Sequence, residues 1–247
     1  MLSIKNLKFY KPFKPLFFNK NLQSFTMAEV LITIGLIGLV AALTLPGVMD
    51  KYRQKALETG MSRFFSVMNQ AFYLSTLDNG EEKYWDDYGD DSCAFYKRYL
   101  ADYLKTTEYE CGYYNRIDDN RFSKMDDDRF VGIYFPSGDM AVFSYGRTFT
   151  YTLNSKKYYK KYTALMSGGT SDKQDAYGRE LFVFEIARKR ADSANITNIR
   201  GIIPFYGLVS YSNEELLEFC KSSPYRCSAL IVRNGWKVPK NYPYKIR

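Results

Sequence analysis

The run "MAEVLITIGLIGLVAALTL", Met27 to Leu45, constrains this chain more than any other feature, because its 19 residues carry one charge, Glu29. As an α-helix it reaches about 28 Å, close to the roughly 30 Å of a bilayer's hydrocarbon core. Residues 1–24 ahead of it hold five lysines (Lys5, Lys8, Lys11, Lys14 and Lys20) and no acid. A basic, acid-free flank holds the N-terminus on the cytoplasmic side. Asp50, Lys51, Arg53 and Lys55 beyond the run weaken the asymmetry without reversing it. The expectation is a single membrane pass with the N-terminus cytoplasmic and the body of the protein on the far side of the membrane.

A signal peptide is the first alternative. Its basic region would be unusually long, an acid stands near the start of the apolar run, and Ala41, Ala42 and Thr44 make a poor cleavage site. A plain anchor fits better. Neither accounts for Glu29, since an unpaired carboxylate in hydrocarbon costs a few kcal/mol or more.

Composition narrows the chemistry. Charged residues make up 25% and aromatics 17% of the 247 residues, which describes a folded chain. There is no histidine. That removes the commonest general base, the usual zinc ligand and every Ser-His or Cys-His pair. An anchored extracytoplasmic enzyme working with carboxylates alone is the rival from another class, but no two acids can be assigned to such a role. No catalytic residue and no metal ligand is expected. Cys93, Cys111, Cys220 and Cys227 all follow the apolar run, where oxidation is permitted. Of the three pairings, proximity favours Cys93–Cys111 and Cys220–Cys227 over crossed bridges or free thiols.

Pro46 and Gly47 interrupt the apolar run, yet helical periodicity resumes at once. Val48, Tyr52, Ala56, Gly60, Phe64, Met68 and Phe72 recur every four residues, flanked by Leu57, Met61 and Phe65. This predicts an amphipathic helix to about Leu77, kinked at Pro46, closed by Asp78-Asn79-Gly80 and buried along its aromatic stripe. Three parts follow: a basic, acid-free flank at 1–24, which the resemblance described below makes a leader, a long helix at 25–79 with its transmembrane part at 27–45, and a globular domain at 80–247. Residues 81–128 hold 14 acids against 7 bases, and residues 129–247 hold 9 against 19. A short helix is expected around Ala94–Lys105, with loops elsewhere in the acidic region. "FVGIYFPSGDMAVFSYG" reads as a hairpin, and "GRTFTYTL", "LFVFEI" and "ALIV" as further strands. The fold class is α+β, a long N-terminal helix packed on a small antiparallel sheet. Trp236 is expected to cap the core rather than stand exposed. "KKYYKKY" brings Lys156, Lys157, Lys160 and Lys161 together with tyrosines, cations for phosphates and rings for stacking on bases.

The stretch "SFTMAEVLITIGLIGLVAALTLP" resembles the N-terminal signature of type IV prepilins and type II secretion pseudopilins. In that family a basic leader ends at a small residue, usually Gly. A Phe follows, then Thr, an apolar pair, a Glu and an unbroken apolar helix with a proline near its end. The matching positions are Ser24, Phe25, Thr26, Met27-Ala28, Glu29 and Pro46. The resemblance implies a pilin-like fold, and a structural subunit rather than an enzyme. It implies cleavage between Ser24 and Phe25 by a prepilin peptidase, and N-methylation of Phe25. It also implies assembly into a filament, with Glu29 paired to the Phe25 amine of a neighbouring subunit. Partners implied are other pilin-like subunits, an inner-membrane platform and an ATPase. Ser24 departs from the usual Gly, which leaves cleavage in place but slower. A type IV pilus, a secretion pseudopilus and a DNA-uptake pilin all share the signature; the last would use the Lys156–Lys161 cluster. Some secretion pseudopilins hold calcium in a polar loop. Here Asp172 and Asp175 are that loop's only acids and its usual Asn-Gly and Pro-Asn pairs are missing, so no cofactor is expected. Asp118-Asp119 and Asp126-Asp127-Asp128 lack the ligand spacing of a calcium loop as well.

Overall fold

The structure is a computed structural model that describes residues 26–86, 88–89, 91–112, 117–118, 121–122, 129–145, 147–153, 155, 176–187, 200–205 and 211–246. Helix α1 covers Met27–Asn79 and contains Pro46. Contacts divide the chain into two units, residues 1–46 and 47–247, which are described separately.

In the second unit α1 runs to Asn79 and ends at Gly80, whose φ of +77° is one that glycine adopts without strain. Its buried face begins at Leu57 and continues through Gly60, Met61, Phe64, Met68, Ala71 and Phe72. Val48 and Tyr52, the first two members of the predicted stripe, are exposed. The predicted periodicity is therefore present, but only from Leu57 onward does the stripe meet the core.

That face packs on a six-stranded antiparallel sheet. Its strands are β1 (Glu108–Cys111), β4 (Phe130–Tyr134), β5 (Met140–Ser144), β6 (Thr148–Thr152), β7 (Phe182–Ile186) and β8 (Ile202–Pro204), in that spatial order. The two-residue strands β2 (Ile117–Asp118) and β3 (Arg121–Phe122) pair apart from it. The β4–β5 hairpin forms where the sequence pattern places it. Gly138, at φ +85°, supplies the turn, and Phe135 and Asp139 close it through a 3.0 Å backbone bond. Alternation sends Val131, Ile133, Ala141, Phe143, Phe149, Tyr151, Phe182 and Phe184 to the side of α1. Phe130, Met140, Val142 and Val183 point to the other side, where Ala176, Tyr177 and Leu181 cover them.

Three sequence expectations need correction. "ALIV" is not a strand but part of helix α4 (Cys227–Arg233), which follows α3 (Asn213–Ser222). Cys227, Ser228, Ala229, Leu230 and Ile231 are all buried, so the run carries no polar face by which a short apolar helix is told from a strand. The helix expected at Ala94–Lys105 is α2 (Ser92–Tyr99), capped by Asp91 accepting from the Ala94 amide at 2.8 Å. A separate 3-10 turn, Ala101–Tyr103, takes up the remainder. The acidic region also contributes β1, where only loops were expected. Its "EYEC" lies at the sheet edge with the two glutamates and Tyr109 at most half-buried, so no alternation marks it. Both proximity-favoured disulfides, Cys93–Cys111 and Cys220–Cys227, are formed.

One ion pair fastens α1 to the hairpin. Asp139 is buried and accepts from Arg63 Nη2 at 2.6 Å, from Tyr151 Oη at 2.9 Å and from Ser137 Oγ. Asp139→Ala strands the Tyr151 hydroxyl in the core and removes the carboxylate facing Arg63. Because Arg63 is half-exposed, the expected loss is about 2–3 kcal/mol, not the full cost of breaking a buried pair. Urea unfolding of the solubilised chain, followed by Trp85 fluorescence, reads it; an unchanged midpoint contradicts the arrangement.

Candidate functional site

The first unit is described from Thr26 to Pro46. It begins with a reciprocal cap. The Glu29 carboxylate accepts from the Thr26 backbone amide and from Thr26 Oγ1, both at 2.9 Å, and the Glu29 amide donates to Thr26 Oγ1 at 3.2 Å. Thr-x-x-Glu is the sequence form of this capping box, which satisfies donors that the first helical turn leaves unpaired. Glu29 thus has a local role within its own chain. The Thr-x-x-Glu signal for that role stands in the sequence but went unread there.

Beyond the cap the helix presents apolar surface all round. Leu31, Ile32, Ile34, Leu36, Ile37, Leu39 and Leu43 are each more than half exposed, and none of the most apolar window is buried. Lipid or other helices are the surroundings that suit a helix this apolar and this exposed. It is long and apolar enough to cross a membrane. Toward Pro46, Thr44 Oγ1 donates to the Val40 carbonyl at 3.0 Å. That bond hides the one hydroxyl in this part of the run.

Ser24 and Phe25 lie outside the described residues, as do Lys156, Lys157, Lys160 and Lys161 and the acids Asp119, Asp126, Asp127, Asp128, Asp172 and Asp175. Among the described residues no cluster of three or more acids or cysteines is placed to hold a metal ion.

In the second unit the helix bears a separate polar surface. Glu58 is buried and accepts from Gln54 Nε2 at 3.1 Å, Lys237 Nζ at 3.0 Å and the Val238 amide at 3.1 Å. Burial pushes its carboxyl up, and these hydrogen bonds outweigh burial, so it is held below the usual carboxylate range. An open groove of about 640 Å³ follows along the helix, with Arg63, Gln70, Trp236 and Lys237 among its lining. Trp236 is half-buried, its ring 5.0 Å from that of Phe65, so it both closes the core and faces this groove.

Residues 47–246 match a family of unknown function, DUF6613, and the chain belongs to that family. The match leaves out residues 1–46, the segment that carries the prepilin-like signature, and no prepilin or pseudopilin family matches. No curated protein and no solved structure matches the chain.

Proposed function

We propose that this protein is a pilin-like structural subunit, anchored in the inner membrane by residues 27–45 and assembled through that helix into a type IV pilus or a type II secretion pseudopilus. In this reading a prepilin peptidase cuts between Ser24 and Phe25 and methylates Phe25. The globular unit then lies on the periplasmic side, and Glu29 meets the Phe25 amine of the next subunit. An inner-membrane platform and its ATPase supply the work of extraction, because moving an apolar helix from lipid into a helical core exchanges one apolar environment for another.

The observation that carries the reading is the exposed apolar helix opened by Thr26 and Glu29, the positions at which prepilins place the same residue types. A long helix packed on an antiparallel sheet agrees with it. The test is immuno-electron microscopy of the fraction sheared from cells that express the chain with an assembly system. Labelled filaments, or pseudopili on overexpression, are expected. A chain recovered solely as membrane-embedded monomers contradicts assembly.

A further inference from the structure

The C-terminal segment folds back along the first turns of the helix in the second unit. Gly235 (φ +66°) and Trp236 (φ +63°) are consecutive left-handed residues that reverse the chain after α4. The segment then descends from Glu58, bonded to Lys237 at 3.0 Å, to Asp50, bonded to Lys245 at 2.7 Å. This return sets Lys237 beside Lys55 and Glu58, and Lys240 and Lys245 along the groove with Asp50 and Gln54, while Lys51 follows Asp50 in the sequence. Between the two runs lies a groove of about 360 Å³, lined by Gln54, Lys240, Tyr242, Tyr244 and Lys245 among others. The tyrosine hydroxyls are turned inward, Tyr242 donating to the Gly178 carbonyl at 2.6 Å and Tyr244 to that of Cys220 at 3.1 Å. The cations are left as the outward-facing groups, Lys237 and Lys245 each being more than half exposed.

We propose that this basic face docks on the headgroups of anionic phospholipids. Lys51 and Lys55 come six and ten residues after Leu45, the last residue of the apolar run. Basic residues that close to a membrane span are drawn to anionic headgroups, by about fivefold in affinity per cation. The like charge of the nearby Lys237 holds Lys55 below the ordinary lysine range, and a phosphate diester between the two relieves that repulsion. The proposal rests on the anchoring reading above and adds the lipid class.

The test uses the full chain reconstituted in phosphatidylcholine nanodiscs with and without phosphatidylglycerol. Hydrogen exchange is followed in residues 50–58 and 235–246. Exchange there is expected to slow about tenfold with phosphatidylglycerol, and to recover at about 0.5 M salt, where screening shortens to a few ångströms. The triple variant Lys51→Gln, Lys55→Gln, Lys240→Gln, with exchange in residues 140–152 unchanged as proof of folding, is expected to lose the effect. Equal exchange in both discs, with the chain still resistant to carbonate extraction, overturns the proposal and leaves anchoring intact. A chain stripped from both discs by carbonate overturns anchoring and the proposal with it. Slowing that ignores lipid charge and grows with the number of chains per disc assigns the face to a second copy, and also overturns it.

Discussion

Replacing Glu29 by leucine is expected to leave the chain in the membrane and remove it from filaments. Leucine makes the apolar run still more favourable in lipid, since an acid in a span costs up to roughly 2.5–3.5 kcal/mol, the value at its centre, and leucine is favourable. Insertion therefore does not suffer. What disappears is the one charge able to set register among helices whose other side chains pack at similar energy in many alignments. Glu29→Gln separates that role from the local one. Glutamine keeps the capping box with Thr26, because an amide oxygen accepts as a carboxylate oxygen does. If the carboxylate serves assembly, chains carrying Glu29→Gln fall from the sheared fraction by about tenfold or more, the equivalent of roughly 1.4 kcal/mol. Assembly of Glu29→Gln at the level of the natural chain would reduce Glu29 to a helix cap. Quantitative immunoblots of sheared and membrane fractions read both variants.

The second large effect is in the core. Phe64 is 2% exposed and its ring lies 4.8 Å from Tyr151, 5.3 Å from Phe184 and 5.8 Å from Phe135 by centroid. These rings sit on α1, on two strands and just past the end of a third. Phe64→Ala thus empties the joint between helix and sheet, with an expected loss of about 3–5 kcal/mol. The neighbours have little freedom to collapse into the space. At Gly60, one turn earlier, an added Cβ would already meet Tyr151 Oη and, at 2.7 Å, Leu153 Cδ2. Urea unfolding monitored by near-ultraviolet circular dichroism gives the value. A loss under about 1 kcal/mol would mean that the helix does not depend on this contact.

The legible parts of the fold were those with a local signal. The β4–β5 hairpin announced itself by alternation around Pro136-Ser137-Gly138, and α1 by its four-residue stripe ending at Gly80. Both disulfides followed from nearness in sequence. Helix α3 had a signal that went unread, for Ser212 and Glu215 form a capping box. Helix α4 had none, because burial on every side erased its periodicity. The second buried face of the sheet depends on residues 176–181, far along the chain from β4 and β5, whose Phe130, Met140 and Val142 they cover. The same limit applied to function. Thr26 and Glu29 stand three residues apart, so their pairing had a local signal although it went unread, whereas the basic face joins α1 to residues 237–245 through Asp50–Lys245 and Glu58–Lys237. No periodicity or motif spans that separation; only the folded chain brings those lysines together.

The central claim is tested most directly by the intact mass and N-terminal sequence of the chain coexpressed with a prepilin peptidase. A mature protein beginning at N-methylated Phe25 is the predicted result, and Ser24→Gly is expected to give the same product faster. A chain that keeps its leader, beside a control substrate that the same peptidase cuts, would contradict the account and leave Met27–Leu45 as an anchor alone.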